Sequence, residues 1–400
     1  MGKLSYEMNK KQLGQFFTTN SDYILQGMES LVRGKKVADP FAGGGDLLVW
    51  ANKNGARSII GYDVDDRYVD KEKIILNDSL LSAKEYDFVI TNPPYLNVNK
   101  ASKETKEKYF SKHKFEDLYQ ISLASIMNSE EGIFIVPINF LSAENSESIR
   151  KLFFSKFTID FVNYFTYQVF PDTTYNVIAA YYRRKKPDED EQISFSMRIF
   201  FQNGESQNKS ITLQQKYGWA IGRQFIAPIL NSPNQLGIYR FEERHILPGN
   251  KPATLAWVHI DKQCIKGVSD QTLDVLKHNI LLLKAIDSGS QNGRIALEDL
   301  RDYGVDGLVS IPTSRHMVQL ILPKFVLLQE QMELIKEFNR ELNHLRDKTF
   351  SLFLTNYRDK NRKRIGFDFV YKMVNSIYYQ KIHPAKALRP DFETISKVYA

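Results

Sequence analysis

This sequence of 400 residues contains one cysteine, Cys264, so a single chain can form neither a disulfide nor a cysteine-rich zinc site. Its 7 histidines are scattered singly without an HExxH or similar cluster, which argues against a metal site. No run approaches the roughly 18 apolar residues of a membrane span, and the start, MGKLSYEMNKKQ, lacks the apolar core of a signal peptide. We therefore expect a cytoplasmic protein with no metal and no membrane partner.

The composition is that of a globular, basic chain. Hydrophobic residues make up 42% of it, enough to bury a large core, and the length favours two domains or one enlarged domain. The net charge of +7 favours an anionic partner such as nucleic acid, although many basic proteins bind none.

The first half of the chain has the pattern of an α/β fold. Short runs rich in Val, Ile and Phe, such as SIIGYDVD and YDFVITNPP, alternate with helical patterns such as GDLLVWANKNG and FEDLYQISLASIMNSEEG. This alternation predicts helical crossovers and a mainly parallel sheet. Two further apolar runs flank the turn PDTT and predict an antiparallel hairpin that completes the sheet.

A charged run, RRKKPDEDEQ, interrupts this pattern and predicts a domain boundary. We therefore divide the chain into residues 1–186 and residues 187–400. In the second part, Phe338, Leu342 and Leu345 fall on one face of a long helical pattern. The stretch is too short for a coiled coil, so we expect a helix packed on its own domain.

The segment VADPFAGGGDLL predicts a ligand-binding turn. A strand that ends at Asp39 is followed by the glycines 43–45 and then by an apolar helix, so bare backbone can approach a ligand closely. The spacing is not GxGxxG, and Asp46–Leu47 stands where a phosphate loop has a Lys-Ser/Thr pair. The layout therefore suits a nucleotide-like molecule, although a plain tight turn is an open alternative.

Two more acids follow the next two predicted strands. Asp63 lies about twenty residues after the glycine motif, where an acid typically binds the hydroxyls of a ribose. Asp78 ends the third strand, where it can accept a hydrogen bond from the amine of an adenine. Each acid alone is equally consistent with a helix cap or a turn, but three acids at three successive strand ends indicate a binding site.

The strand DFVIT ends in a rigid corner, Asn92-Pro93-Pro94-Tyr95. The prolines fix two φ angles and lack N–H groups, so the carbonyls of Asn92 and Pro93 are free to face a ligand. Asn92 adds an amide oxygen, and Tyr95 adds a flat ring for stacking. Two acceptors beside a flat ring suit an amine on an aromatic ring, such as the amine of adenine. The lone pair of this amine is delocalised into the ring, and two hydrogen bonds accepted from its N–H groups would redirect it.

In this order and spacing, DPFAGGG, the acids of GYDVD and LNDS, and NPPY resemble the S-adenosylmethionine-dependent N6-adenine DNA methyltransferases. LGQFFTTNSDYILQGM, before the glycine motif, resembles the cofactor segment of their gamma class, and YQVFPDTTYNVIAAYY resembles a later aromatic motif of that family. The resemblance covers roughly residues 12–184. It implies a Rossmann-like class I methyltransferase sheet, mainly parallel with a C-terminal antiparallel hairpin, followed by a mixed or helical domain that reads the DNA sequence.

The resemblance also implies two sets of site residues. For the cofactor S-adenosylmethionine these are Thr18, Thr19, Asp39, Phe41, Ala42, Gly43, Gly45, Asp63, Val64, Asp78, Ser79, Asn92 and Pro94. For catalysis they are Asn92, Pro93, Pro94, Tyr95 and Phe170. In this interpretation, Phe170 and Tyr95 stack on the two faces of the target adenine.

The function implied is that of a site-specific, adenine-specific DNA methyltransferase. It would methylate N6 of a flipped-out adenine in double-stranded DNA, as a monomer in the cytoplasm of a prokaryote or of a virus-infected cell. The resemblance also implies a restriction-modification system, in which a restriction endonuclease acts on the same DNA site. That endonuclease need not bind this protein. The run NYRDKNRKRIGF, which includes Lys363 and Arg364, is a candidate phosphate-binding stretch or a solvated charge run. Two alternatives stay open: methylation of adenine in RNA, and a non-catalytic DNA-binding subunit with a remnant methyltransferase fold.

Overall fold

The structure, a computed structural model, describes residues 18–70, 72–171, 175–186, 191–287, 294–314, 316–323, 325–356 and 363–384. The chain forms two compact units, one made of residues up to Gln224 and the other made largely of residues from Phe225 onward. No helix within the described ranges is long and apolar enough to cross a membrane.

In the part of the chain that the structure describes, the first unit is built on one nine-stranded sheet. Its strands are β1 (Lys36–Asp39), β2 (Ser58–Asp63), β3 (Ile74–Leu76), β4 (Tyr86–Thr91), β5 (Ser129–Pro137), β6 (Phe157–Phe165), β7 (Val177–Arg184), β8 (Gln192–Phe200) and β9 (Ser206–Gln214). Their order is β3-β2-β1-β4-β5-β7-β6-β8-β9. Only β7 and β9 run antiparallel to their neighbours, so the carboxyl ends of the other strands share one edge.

Short helices precede and connect these strands. They are α1 (Ser21–Ile24), α2 (Asp46–Lys53), α3 (Lys103–Thr105), α4 (Leu118–Ser125), α5 (Asn139–Ser142) and α6 (Glu147–Phe153), and a π-helical turn over Lys106–Phe110 follows α3. The central strand β4 buries Phe88, Val89 and Ile90 completely. Consecutive buried residues require cover on both faces of a strand, as in a parallel sheet flanked by helices. The α/β fold class predicted from the sequence is confirmed, including the antiparallel pairing of β6 with β7.

The first unit extends beyond the domain boundary placed between residues 186 and 187. β8 pairs parallel with β6, and β9 pairs antiparallel with β8, so both strands belong to the same sheet as the predicted hairpin. Residues Ile193, Phe195 and Met197 on β8 are buried at alternate positions and hold the strand in place. The compact unit consequently ends at Gln224.

The second unit combines small sheets with helices. Its elements are α7 (Arg223–Leu230), which spans the division, β10 (Tyr239–Arg240), β11 (Pro248–Trp257), β12 (His259–Val268), α8 (Asp270–Lys277), β13 (Leu281–Lys284), β14 (Ala296–Asp299), β15 (Gly307–Val309), β16 (Met317–Ile321), α9 (Leu328–Thr349), β17 (Thr355–Asn356), β18 (Lys363–Arg364) and α10 (Phe367–Ile377). Among the described residues the strands form the sheets β10-β16-β13-β14, β12-β11-β15 and β17-β18.

Helix α9 provides much of the core of the second unit. It buries Phe338, Leu342 and Leu345, together with Leu334, in one cluster with residues of β13, β16 and α10. The sequence prediction of a helix packed on its own domain is therefore confirmed.

Lys363, in the basic run near the C-terminus, is buried rather than exposed. It is 6% exposed, and its ammonium nitrogen has no hydrogen-bond partner among the described residues. Burial lowers the pKa of Lys363 to about 8, although nearby Asp287 opposes the shift. This side chain cannot contact a phosphate from its position, whereas Arg364 is half-buried and residues 357–362 lie outside the described ranges.

We expect Lys363→Met to stabilise the protein at neutral pH. The lysine has a pKa of about 8 in the fold, against about 10.4 in an unfolded chain, so its charging penalty grows as pH falls from 10 to 8 and is then constant. The variant should gain about 1 to 3 kcal/mol of unfolding free energy at pH 7 and lose that advantage toward pH 10. Urea unfolding at both pH values measures this.

Lys277→Met, a substitution of an exposed lysine on α8, is the control and should change stability little at either pH. A Lys363→Met variant that is less stable than wild type at pH 7 would show that the ammonium group contributes to the fold.

Candidate active site

A cleft lies at the carboxyl ends of β1, β2 and β4, the edge where ligands of parallel sheets bind. The empty space in it, including solvent at its mouth, is about 790 Å³. The described residues that line it are Thr18, Asp39, Pro40, Phe41, Ala42, Gly43, Asp46, Leu47, Asp63, Val64, Asn77, Asp78, Ser79, Leu80, Asn92, Pro94, Tyr109 and Leu118.

The glycine motif forms the turn from β1 into α2. Gly43 and Gly45 have φ angles of +50° and +82°, which residues with a Cβ rarely adopt. Gly45 is the N-cap residue of α2, so the turn leads directly into the helix. The N–H of Gly43 donates to Oδ2 of Asp63 at 2.8 Å, which ties the turn to the end of β2.

Gly61, on β2, lets the glycine motif lie close to the sheet. A Cβ at this position would be 2.8 Å from both the Cβ of Ala42 and Cδ1 of Leu48. Real Cβ atoms do not approach other carbon atoms so closely, so any larger residue would displace the turn. The sequence provides a glycine here, but nothing in the local pattern indicates why.

Two buried carboxyl groups lie at the ends of β1 and β2. Burial raises the pKa of Asp39 to about 7; the N–H of Phe41 opposes the shift, and the charge of Asp63 adds to it. Burial also raises the pKa of Asp63, although the N–H groups of Asp65 and Gly43 favour its ionised form. The cleft therefore contains a carboxyl group that changes charge near neutral pH, and a cationic ligand would favour the ionised form.

Asp78 follows β3 at the edge of the sheet, and two side chains bind its carboxylate. Its Oδ2 accepts from the hydroxyl of Tyr109 at 3.0 Å and lies 2.9 Å from the ammonium nitrogen of Lys108. Its Oδ1 accepts from the N–H of Leu80 at 3.3 Å. Sequence reasoning identified the acid but neither of the two side chains.

The Asn-Pro-Pro-Tyr corner lies at the carboxyl end of β4, beside the three acids. Nδ2 of Asn92 donates to Oγ1 of Thr18 at 3.1 Å, and the hydroxyl of Tyr95 donates to Oδ1 of Asn92. The oxygen of the same hydroxyl lies 2.7 Å from the carbonyl oxygen of Ile135, so its single proton is shared between the two acceptors. The amide of Asn92 is therefore held at both ends.

The two predicted stacking rings are buried. Tyr95 is 4% exposed and Phe170 is 1% exposed. The ring of Tyr95 packs nearly at right angles to Tyr119 and Tyr175, with centroids 6.4 and 6.0 Å away. A base that stacks on Tyr95 must therefore replace part of this packing.

Most of the predicted cofactor residues lie together around the cleft. They are Thr18, Asp39, Phe41, Ala42, Gly43, Asp63, Val64, Asp78, Ser79, Asn92 and Pro94. The predicted residues that do not line it are Thr19, Gly45, Pro93, Tyr95 and Phe170. Of these, Tyr95 is linked to the cleft indirectly, because its hydroxyl group donates to Oδ1 of Asn92, which lines the cleft.

Several lining residues were not predicted: Pro40, Asp46, Leu47, Asn77, Leu80, Tyr109 and Leu118. Pro40, Asp46 and Leu47 belong to the glycine motif itself, so their neighbours in the sequence already mark them. Leu80, Tyr109 and Leu118 come from segments without a recognisable motif. Only the folded chain brings them to the cleft.

Residues 47–170 match a protein family described as Eco57I restriction-modification methylase. The matched segment includes the corner from Asn92 to Tyr95 and ends at Phe170, but it begins after the glycine motif and covers under a third of the chain. No curated protein matches the sequence at a significant level.

Three solved structures of restriction-modification proteins are weakly similar to this chain. The modification subunit of a proposed type I restriction enzyme from Vibrio vulnificus YJ016 is 16% identical, with 55% of this chain and 61% of that chain covered and a TM-score of 0.39. The type I methyltransferase subunit from Streptococcus thermophilus is 17% identical, with 48% of this chain and 50% of that chain covered and a TM-score of 0.33. The type IIG restriction endonuclease BpuSI is 10% identical, with 92% of this chain and 57% of that chain covered and a TM-score of 0.42. The chain thus spans about half to three fifths of these proteins, and likenesses this weak carry no information about function.

We expect Gly61→Ala to lower the free energy of unfolding by about 1 to 3 kcal/mol, because the Cβ of Ala42 belongs to the turn and cannot rotate away. Gly44→Ala is the matched control, since a Cβ at that glycine has no atom within 4 Å. Urea unfolding of both variants measures the difference. Equal effects would mean that the turn can move away from β2 without loss.

Proposed function

We propose that this chain is a site-specific DNA methyltransferase that transfers the methyl group of S-adenosylmethionine to N6 of adenine in double-stranded DNA. The observation that carries the proposal is the position of Asn92: its amide lies in one cleft with the glycine motif and with three acids. The match of residues 47–170 to a restriction-modification methylase family supports the same activity. We infer that the enzyme protects DNA against an endonuclease that cuts at the same site.

The hydrogen-bond acceptors in the cleft fit the proposed cofactor. Asp63 would bind the ribose hydroxyls; its carboxylate accepts two N–H bonds now and has further lone pairs for more. Asp78 would accept from the adenine amine, and Asp39 and Thr18 would lie toward the methionine part. Bare backbone at Gly43 permits close approach. S-adenosylmethionine would supply an electrophilic methyl group on a positively charged sulfur.

The corner residues act by hydrogen bonding and positioning. An adenine amine is a weak nucleophile because its lone pair is delocalised into the ring. Oδ1 of Asn92 and the carbonyl of Pro93 would accept its two N–H groups and direct the lone pair toward the methyl group. The side-chain amide of Asn92 is not basic, so it contributes geometry rather than general base catalysis, and the proton that N6 loses once it is methylated would pass to solvent.

The target base would enter the site by rotating out of the duplex, which costs about a few kcal/mol. Stacking on aromatic rings returns roughly 1 to 3 kcal/mol per base. We propose that Tyr95 and Phe170 provide that stacking once the base has replaced part of the packing around Tyr95. The second unit, from Phe225 onward, would read the DNA sequence, and the excess of basic residues in the chain would support binding of the duplex.

Asn92→Ala should reduce transfer of labelled methyl from S-adenosylmethionine to long unmethylated duplex DNA by about 10²- to 10³-fold, the usual loss for a preorganised polar group that acts in the transition state. Asn99→Ala, which alters an exposed asparagine near the corner, is the matched control and should retain wild-type activity. The product base is identified after hydrolysis of the DNA.

Three results would contradict the proposal. Label that appears only in RNA would indicate an RNA adenine methyltransferase. The absence of label from every polynucleotide would favour a non-catalytic subunit. Undiminished N6-methyladenine from Asn92→Ala would remove the amide from the mechanism.

Binding of S-adenosylmethionine should strengthen as pH rises from 6 to 8. Asp39 has a raised pKa of about 7, so it is largely protonated at pH 6, and a cation nearby favours the form that has lost the proton. Titration of this carboxyl alone predicts a gain of about tenfold in affinity. Calorimetric titration of wild type and Asp39→Asn at pH 6, 7 and 8 measures it. The Asp39→Asn variant should lack this gain. If its affinity changed with pH as much as that of wild type, ionisation of Asp39 would not contribute to binding.

A further inference from the structure

The side chains that bind Asp78 suggest how the nucleobase end of the site is built, an inference that rests on the proposed function. We propose that the ring of Tyr109 contacts the adenine of the cofactor, while Lys108 and the Tyr109 hydroxyl hold the Asp78 carboxylate toward the adenine amine. Tyr109 is then a binding residue, and Lys108 is a positioning residue that acts through Asp78.

Both residues belong to a closed loop formed by residues 97–117. The N–H of Val98 donates to the carbonyl of Glu116 at 2.7 Å, and Asn97 forms an isolated β-bridge with Asp117. The two ends of the loop are thus fastened to each other just after the Asn-Pro-Pro-Tyr corner. The π-helical turn that carries Lys108 and Tyr109 lies within this loop.

A small core between this loop and the residues on either side of it fixes the position of Tyr109. The buried members of this core are Leu96, Ala101, Tyr109, Phe110, Leu118 and Ile121. Tyr109 is only 6% exposed, yet it lines the cleft beside the half-buried Leu80. A ring that is held by this packing and borders the cleft can contact a planar base.

The bonds at Asp78 leave room for an amine. Oδ2 accepts from Tyr109 and pairs with Lys108, whereas among the described residues Oδ1 accepts only from the N–H of Leu80, at 3.3 Å. A carboxylate has about four acceptor positions, so Oδ1 can take an N–H from a ligand. The two donors on Oδ2 restrict rotation of the carboxylate.

Lys108 keeps its charge in this position. Burial works against ionisation, but the bonds to Tyr109 and Asp78 outweigh it and raise the pKa of the lysine. Its side chain is 42% exposed, so the ion pair contributes little to folding, and its effect falls on the orientation of Asp78. An oriented, charged acceptor discriminates: it binds a 6-amino purine and repels the carbonyl oxygen of a 6-oxo purine.

The experiment compares two ligands of the full chain by calorimetry: S-adenosylhomocysteine and its 6-oxo analogue, S-inosylhomocysteine. Wild type should prefer the amino compound by at least about tenfold, as expected for one hydrogen bond to a charged group. Lys108→Met and Tyr109→Phe should each reduce that preference several-fold. Lys108→Arg retains a cation at Asp78 and should restore it, and Tyr109→Ala should weaken both ligands.

Lys112→Met, on the same loop but exposed, is the control and should bind like wild type. An unchanged preference in Lys108→Met and Tyr109→Phe overturns this inference and leaves the proposed function intact. An equal loss of affinity for both ligands in Lys108→Met also overturns this inference, because it would indicate that Lys108 has a merely structural role. If the folded wild-type chain binds neither ligand, the proposed function fails, and this inference fails with it.

Discussion

Parallel pairing of β1 with both β2 and β4 is the constraint on which the site depends. In this register Asp39 lies opposite Gly61, and β4 follows on the other side of β1. Strands that run in one direction end at one edge, so residues from separate parts of the chain meet there without any local signal that joins them. Asn92 reaches the acids only because β4 ends beside β1.

The sequence predicts best those features that are encoded by nearby residues. Asp39, Asp63 and Asp78 could be placed because each follows a recognisable apolar run, and parallel topology then brings such strand ends together. The Asn-Pro-Pro-Tyr corner could be identified because two prolines restrict the backbone locally. Phe338 and its partners on α9 followed from helical periodicity alone.

Contacts between distant segments account for what the sequence left undetermined. The hydroxyl of Tyr95 meets Oδ1 of Asn92, although the flat face of the ring was the expected contribution. Lys108 reaches Asp78 through a loop whose path no motif marks. The predicted domain boundary, after residue 186, lies before the end of the first unit at Gln224 for another reason. The charged run before β8 has the composition of a linker, although the alternation at Ile193, Phe195 and Met197 is typical of a strand.

Among the residues that the structure describes, β3 and β9 are the outermost strands of the sheet in the first unit. An open edge strand is a place where the sheets of two copies could pair. β3 offers three residues, too few for stable intermolecular pairing, even though Leu76 is 59% exposed. The outer half of β9 is the polar run Ser206–Ser210, which includes Lys209. Short or hydrophilic borders discourage edge-to-edge aggregation. The nine-stranded sheet can thus keep two open edges without closing into a barrel.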